Sequence, residues 1–256
     1  MKTPTTRLHE QGLGKVPEVT LLFWTIKIAA TTLGETGGDA VSMSMNLGYL
    51  VGTAIFAAVF ALAVWAQIKS RHFQPVLYWS TIIATTTVGT TLADFADRTL
   101  GIGYAGGTAL LATLLIASFA IWQRTMGSVS IATVSSSKAE AFYWVTIMFS
   151  QTLGTALGDW TAGTAGLGYT GGALVFSGLL ALLVLAWRRT RISHTTLFWT
   201  AFVLTRPLGA VVGDLLDKPL ASGGLALSRY SATAALLAFV IGSLVLFPQR
   251  ASRKVH

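Results

Sequence analysis

Runs of predominantly apolar residues recur eight times along the chain, near 19–40, 48–68, 76–97, 105–123, 141–162, 170–187, 196–216 and 230–247. About 20 residues at ~1.5 Å each cross the ~30 Å of a bilayer's hydrocarbon, so the pattern predicts eight transmembrane helices with mostly short connections. The polar stretch MKTPTTRLHEQGLGKVPE before the first run is long and has no small-residue cleavage site behind a short apolar core. It is therefore not expected to act as a cleavable signal.

Within this hydropathy pattern a second one repeats four times. Trp24, Trp79, Trp144 and Trp199 each precede a glycine by ten residues, at Gly34, Gly89, Gly154 and Gly209. Five residues later come Asp39, Asp94, Asp159 and Asp214, in WTIKIAATTLGETGGD, WSTIIATTTVGTTLAD, WVTIMFSQTLGTALGD and WTAFVLTRPLGAVVGD. A Tyr follows at Tyr49, Tyr104 and Tyr169, and in the fourth copy at Tyr230, behind a glycine-containing insertion. Each copy holds two spans, an even number, so all copies share one orientation, and parallel repeats imply pseudosymmetry about an axis along the membrane normal. The predicted fold is an all-α polytopic membrane helix bundle of four tandem two-helix repeats. Residues 1–18 and 248–256 read as tails, 19–124 as the first half, 125–138 as a linker and 139–247 as the second half.

These residues resemble a family of bacterial integral membrane proteins built from four tandem copies of a two-span "repeat of unknown function", each copy marked by a Trp. The likeness covers about residues 19 to 247. It implies the fold but no particular activity, so function rests on the residues themselves.

Composition agrees with a lipid-facing surface: of 256 residues 53% are apolar and 11% charged, against about 25% charged in soluble domains. Complete absence of Cys excludes disulfides, thiolate nucleophiles, zinc fingers and Fe–S ligation. The net charge of +8 lies in clusters between apolar runs, not in a stripe that would bind nucleic acid. Lys2, Arg7, Lys15, Lys69, Arg71, Arg124, Lys138, Arg188, Arg189, Arg191, Arg250, Arg253 and Lys254 all fall on one side of the predicted spans. By the positive-inside rule both termini are then expected in the cytoplasm and the chain in the inner membrane.

Small residues one turn apart recur in the odd spans (Gly34 and Gly38, Gly89 and Ala93, Gly154 and Gly158, Gly209 and Gly213). They open the even spans too (Gly48 and Gly52, Gly103 and Gly107, Gly168 and Gly172, Ser228 and Ala232). Such spacing lets helices approach closely in lipid, which assigns Gly34, Gly89, Gly154 and Gly209 to helix packing. The four Trp lie near the starts of the odd spans and read as interface anchors, with a packed internal pillar as the other possibility.

Glu35, Asp39, Asp94, Asp97, Asp159, Asp214 and Asp217 lie toward the outer ends of the odd spans, and carboxylates in a membrane are rarely lipid-exposed. Near a helix C-terminus each meets the negative end of the macrodipole. Compensation is expected from bound cations, from protonation, or from Arg206, Lys27, Arg98 and Lys218; the plainer reading is that each Asp caps a turn or pairs with a neighbouring base. Lys27, Thr31, Glu35 and Asp39 follow one another at four-residue steps, on one slowly turning helix face. Thr31, Thr86, Gln151 and Arg206, three residues before each repeated Gly, are polar in every copy. With Lys27 they suggest a polar track or gate through the odd spans, and Pro207 is expected to kink the fourth odd span.

Other chemistry is weakly represented. His9, His72, His194 and His256 all fall in tails or loops, Met43 and Met45 make a poor thioether site, and no P-loop or Rossmann fingerprint occurs in context. No cofactor and no enzymatic activity is expected. The reading is an integral membrane transporter, of a cation or coupled to protons, with the bilayer and a small solute as partners and a homo-oligomer possible. A passive channel or sensor, or a scaffold in which the Asp are structural, stands as the alternative.

Overall fold

A computed structural model describes residues 13–253. Lys2, Arg7, His9, Lys254 and His256 lie outside the described residues. Eight long helices run Leu21–Asp39 (α1), Gly48–Lys69 (α2), Pro75–Asp94 (α3), Gly103–Met126 (α4), Ser137–Asp159 (α5), Gly168–Arg189 (α6), His194–Asp217 (α7) and Arg229–Leu246 (α8). Each coincides with a predicted span to within a few residues. The segments read as tails contribute two short strands, Leu13–Pro17 (β1) and Ala251–Arg253 (β2), which pair antiparallel.

Five of the helices, α2, α4, α6, α7 and α8, are long and apolar enough to cross a membrane. Helices α1, α3 and α5 are more polar for a reason the packing explains. The odd helices form a closed inner ring, α1 against α3, α3 against α5, α5 against α7 and α7 against α1. Each even helix lies outside this ring and packs on the inner helix of the following repeat: α2 on α3, α4 on α5, α6 on α7, and α8 on α1. Outer helices therefore bury few residues and present Leu62, Ile116, Leu174 and Val245 outward. Inner helices keep their hydroxyls inside, many bonded back to their own carbonyls, as Thr87 to Ile83 O at 2.8 Å and Thr152 to Met148 O at 2.9 Å. That satisfies the donor without a second chain or solvent.

Close approach within the ring depends on the repeated glycines. Each faces the polar residue of the next repeat: Gly34 meets Thr86, Gly89 meets Gln151, Gly154 meets Arg206 and Gly209 meets Thr31. A Cβ at Gly34 would lie 2.9 Å from Thr86 Cβ, and one at Gly154 would lie 2.5 Å from Arg206 Cβ, separations that van der Waals repulsion forbids.

The first three inner helices continue past the repeated Asp into π-helical turns, Ala40–Ser44, Phe95–Thr99 and Trp160–Thr164. The outer helices that follow start at Gly48, Gly103 and Gly168 with φ of +77°, +73° and +63°, where a side chain would be strained. The fourth copy differs. Helix α7 stays α-helical to Asp217, Pro207 lies inside it without ending it, and the insertion forms a short 3₁₀ turn at Leu220–Ser222. Arg229 then opens α8 where glycine opens the other three outer helices.

Candidate functional site: a buried polar column

Reading outward from the Trp end, the inner ring stacks its repeated positions in layers along one axis. The first layer is aromatic. Each residue preceding a repeated Trp packs on the Trp of the next repeat: Phe23 on Trp79 (5.4 Å between ring centroids), Tyr78 on Trp144 (5.6 Å), Tyr143 on Trp199 (5.9 Å) and Phe198 on Trp24 (5.7 Å). Tyr78 and Tyr143 share a hydrogen bond of 2.6 Å across the ring. Trp79, Trp144 and Trp199 are buried, which corrects their reading as interface anchors. In a closed ring these indoles point at neighbouring helices, whereas Trp65 and Trp187 on the outer helices are exposed, as is Trp160 in the turn after α5. Around the layer lie Val16 of β1 and Val134 of the linker, and Trp199 Nε1 donates to Val129 O at 2.9 Å. Lys15, classed above with the topology charges, pairs with the buried Glu140 at 2.6 Å and so fixes β1 to α5.

Three residues beyond each Trp stand Lys27, Ile82, Ile147 and Phe202, all fully buried. Lys27 Nζ lies 4.1 Å from the centroid of the Phe202 ring. Seven residues beyond each Trp stand Thr31, Thr86, Gln151 and Arg206, also fully buried. Arg206 reaches across the ring: its Nη2 donates to Glu35 Oε2 on α1 (2.9 Å), to Thr90 Oγ1 on α3 (2.6 Å) and to Thr155 Oγ1 on α5. One side chain thus ties α7 to all three other inner helices. Thr90 and Thr155 occupy the same repeat position as Glu35, eleven residues past Trp. Extending the sequence register by one more turn would have found them.

The last layer holds the four repeated carboxylates. Arg98 Nε lies 2.7 Å from Asp94 Oδ1, and its Nη2 lies 3.4 Å from Asp159 Oδ2. Lys218 Nζ lies 3.0 Å from Asp214 Oδ1 and also pairs with Asp39 Oδ2. Arg229 bonds Asp217 at 2.5 Å and stands 3.8 Å from Asp39. Arg98 is further flanked by the repeated tyrosines, donating to Tyr49 Oη at 3.3 Å and lying 5.9 and 5.8 Å from the Tyr49 and Tyr104 rings. Asp97 is buried against Gly107, where its partner in the other half, Asp217, has Arg229.

Asp39, Asp94, Asp159, Asp214 and Asp217 are therefore matched to resident bases, whereas neither oxygen of Asp97 has a partner among the described residues. Glu35, Asp39 and Asp214 do place oxygens within 4.8 Å of one another and could hold a metal ion. Lys218 stands between two of the three, so a cation entering there competes with its ammonium.

Compared with known families, residues 22–73, 77–128, 142–193 and 197–251 each match the Repeat of Unknown Function (DUF347). The matched units correspond to α1–α2, α3–α4, α5–α6 and α7–α8. No curated protein and no solved structure matches the chain.

Proposed function

The chain belongs to the Repeat of Unknown Function (DUF347) family, and from that premise we propose that it is an integral membrane transporter whose flux is coupled to protons or another cation through its carboxylate layer. The observation that carries this reading is the column itself. Four inner helices enclose a continuous file of buried polar and charged side chains, and four outer helices turn apolar faces away from it. Taking a charge out of water costs several kcal/mol, which pairing repays only when its geometry is good, and ionisable residues within membrane helices mark solute and ion pathways.

In this reading all eight helices span the bilayer, the Trp end faces the cytoplasm and the carboxylate end faces outward. The basic loops lie at the Trp end, which supports that orientation. Protons or cations arriving from outside take carboxylate oxygens from Arg98 and Lys218. Each loosened ion pair frees the contact between two adjacent inner helices, α3 with α5 or α7 with α1. The aromatic layer is the opposite barrier, and transport requires it to part when the carboxylate end closes.

The test is proton movement in proteoliposomes carrying a trapped pH dye. Wild-type protein should couple dye response to solute addition, and Asp94→Asn and Asp214→Asn should abolish it while remaining folded. Retained coupling in both variants would overturn the reading. A scaffold role is favoured by one observation, that Asp39, Asp94, Asp159 and Asp214 all have a resident base. It predicts no flux from wild type and a large loss of stability in the same variants.

A further inference from the structure

The middle of the column has the opposite electrostatic character from its outer end. Lys27 is fully buried, yet among the described residues no carboxylate lies within ion-pair distance of it. Its ammonium has a long 3.5 Å contact with the Thr205 hydroxyl and the face of Phe202. Arg206, adjacent to Thr205 in the chain and equally buried, spends Nη2 on Glu35, Thr90 and Thr155. Its Nε and Nη1 have no acceptor among the described residues, and neither amide atom of Gln151 nor the Thr86 hydroxyl has a hydrogen-bond partner. Arg206, Gln151 and Thr86 occupy one repeat position on three helices of the ring. Of these two buried bases only Arg206 has a carboxylate, Glu35, and several hydrogen-bond donors beside them are unused.

Buried donors and charges of this kind are ordinarily matched, because an unmatched one forfeits its hydration without return. A cation at this level would meet both bases. We propose that the mid-column is a binding site for a small anion, held between Lys27 and Arg206 with Gln151 and Thr86 as further donors. The close packing of the four inner helices restricts it to an inorganic anion or a one-carbon carboxylate. This deepens the transport reading: carboxylates at the outer end handle the coupling ion, and the anion is the solute.

The test is binding, measured on the full chain in detergent with no gradient, so that it stands apart from any failure of transport. Thermal unfolding is followed while sodium chloride, sodium nitrate or sodium formate replaces sodium gluconate at constant ionic strength. A ligand bound only by the folded state raises its stability saturably. At least one of the three should do so, and Lys27→Met and Gln151→Leu should each weaken its apparent affinity about tenfold or more, the equivalent of one lost charged or hydrogen-bonded contact. Lys27→Met places a thioether in a layer of Ile82, Ile147 and Phe202, so it should also unfold at a higher temperature than wild type in gluconate. No saturable shift with any of the three anions overturns the proposal. An equal shift in both variants overturns it as well, since it would locate the effect elsewhere. If one variant does not fold, the other decides.

Discussion

Arg98 and Lys218 stand at corresponding positions 120 residues apart, and each bridges the repeated Asp of its own repeat to that of the next, Asp94 to Asp159 and Asp214 to Asp39. Four carboxylates in a fourfold arrangement are thereby held by two bases in a twofold one. The surroundings of the bases differ. Arg98 is 33% exposed and flanked by tyrosines, whereas Lys218 is 12% exposed among three carboxylates.

Removing either base should destabilise the bundle, and by different amounts. Lys218→Gln leaves Asp39 and Asp214 buried without their shared base and should cost about 3–5 kcal/mol. Arg98→Gln should cost less, about 1–3 kcal/mol, because water already reaches the arginine. Denaturant unfolding in detergent gives both values, and the reverse order would contradict the assigned burial.

The inner ring should tolerate no side chain at its glycines. Gly154→Val drives a Cβ into Arg206 and should cost at least about 3 kcal/mol or prevent folding, the upper end of overpacking penalties. Gly178→Ala on α6, where a Cβ meets nothing within 4 Å, should fold and unfold as wild type does. Comparable losses in thermal stability at both sites would show that the ring is looser than described.

Tryptophan fluorescence can separate the aromatic layer from the lipid-facing surface. In variants retaining a single Trp, brominated lipids should quench Trp65 and Trp187, which are more than half exposed, and leave Trp79 and Trp122, which are fully buried, largely unaffected. Strong quenching of Trp79 would restore the interface-anchor reading.

The strand pair should depend on one ion pair. Lys15→Ala removes the bond to Glu140 along with contacts to the carbonyls of Gln67 and Ile68. Amide exchange across Leu13–Pro17 should then accelerate about tenfold or more, the equivalent of about 1.4 kcal/mol of local stability, with little change in α1. Unchanged exchange would mean that β1 is held by the β2 ladder alone.

Orientation can be read directly, because the chain contains no Cys. A membrane-impermeant maleimide added to intact cells should label Ser222→Cys, at the carboxylate end, and should reach Thr190→Cys, at the Trp end, only after lysis. The opposite pattern would invert the proposed direction of coupling.

Much of this architecture was legible in one dimension. A twenty-residue apolar period sets the helices because backbone groups in lipid must bond within their own segment, and the fourfold Trp, Gly and Asp register marks the repeats by simple comparison. The same register identified the face bearing Lys27, Thr31, Glu35 and Asp39, since a helix fixes which residues share a side. Thr90 and Thr155 were legible in principle, from the position of Glu35, but nothing in a lone threonine distinguishes a helix-internal hydroxyl from the acceptor of a buried arginine.

Partner choice, by contrast, was decided between helices. No local signal says that α2 packs on α3 or that α8 closes onto α1, because apolar outer faces are interchangeable to lipid. Nor does any say that Trp79 faces Phe23 and not the bilayer, for an indole suits either place. The pairing of Asp39 with Lys218, distant in the chain, appears only when the ring closes and brings the first and last repeats together. Helix length, repeat register and the chemistry of each position are properties of the chain itself; which charge meets which, and which donors are left without a partner, follow from the closure of four helices around one axis.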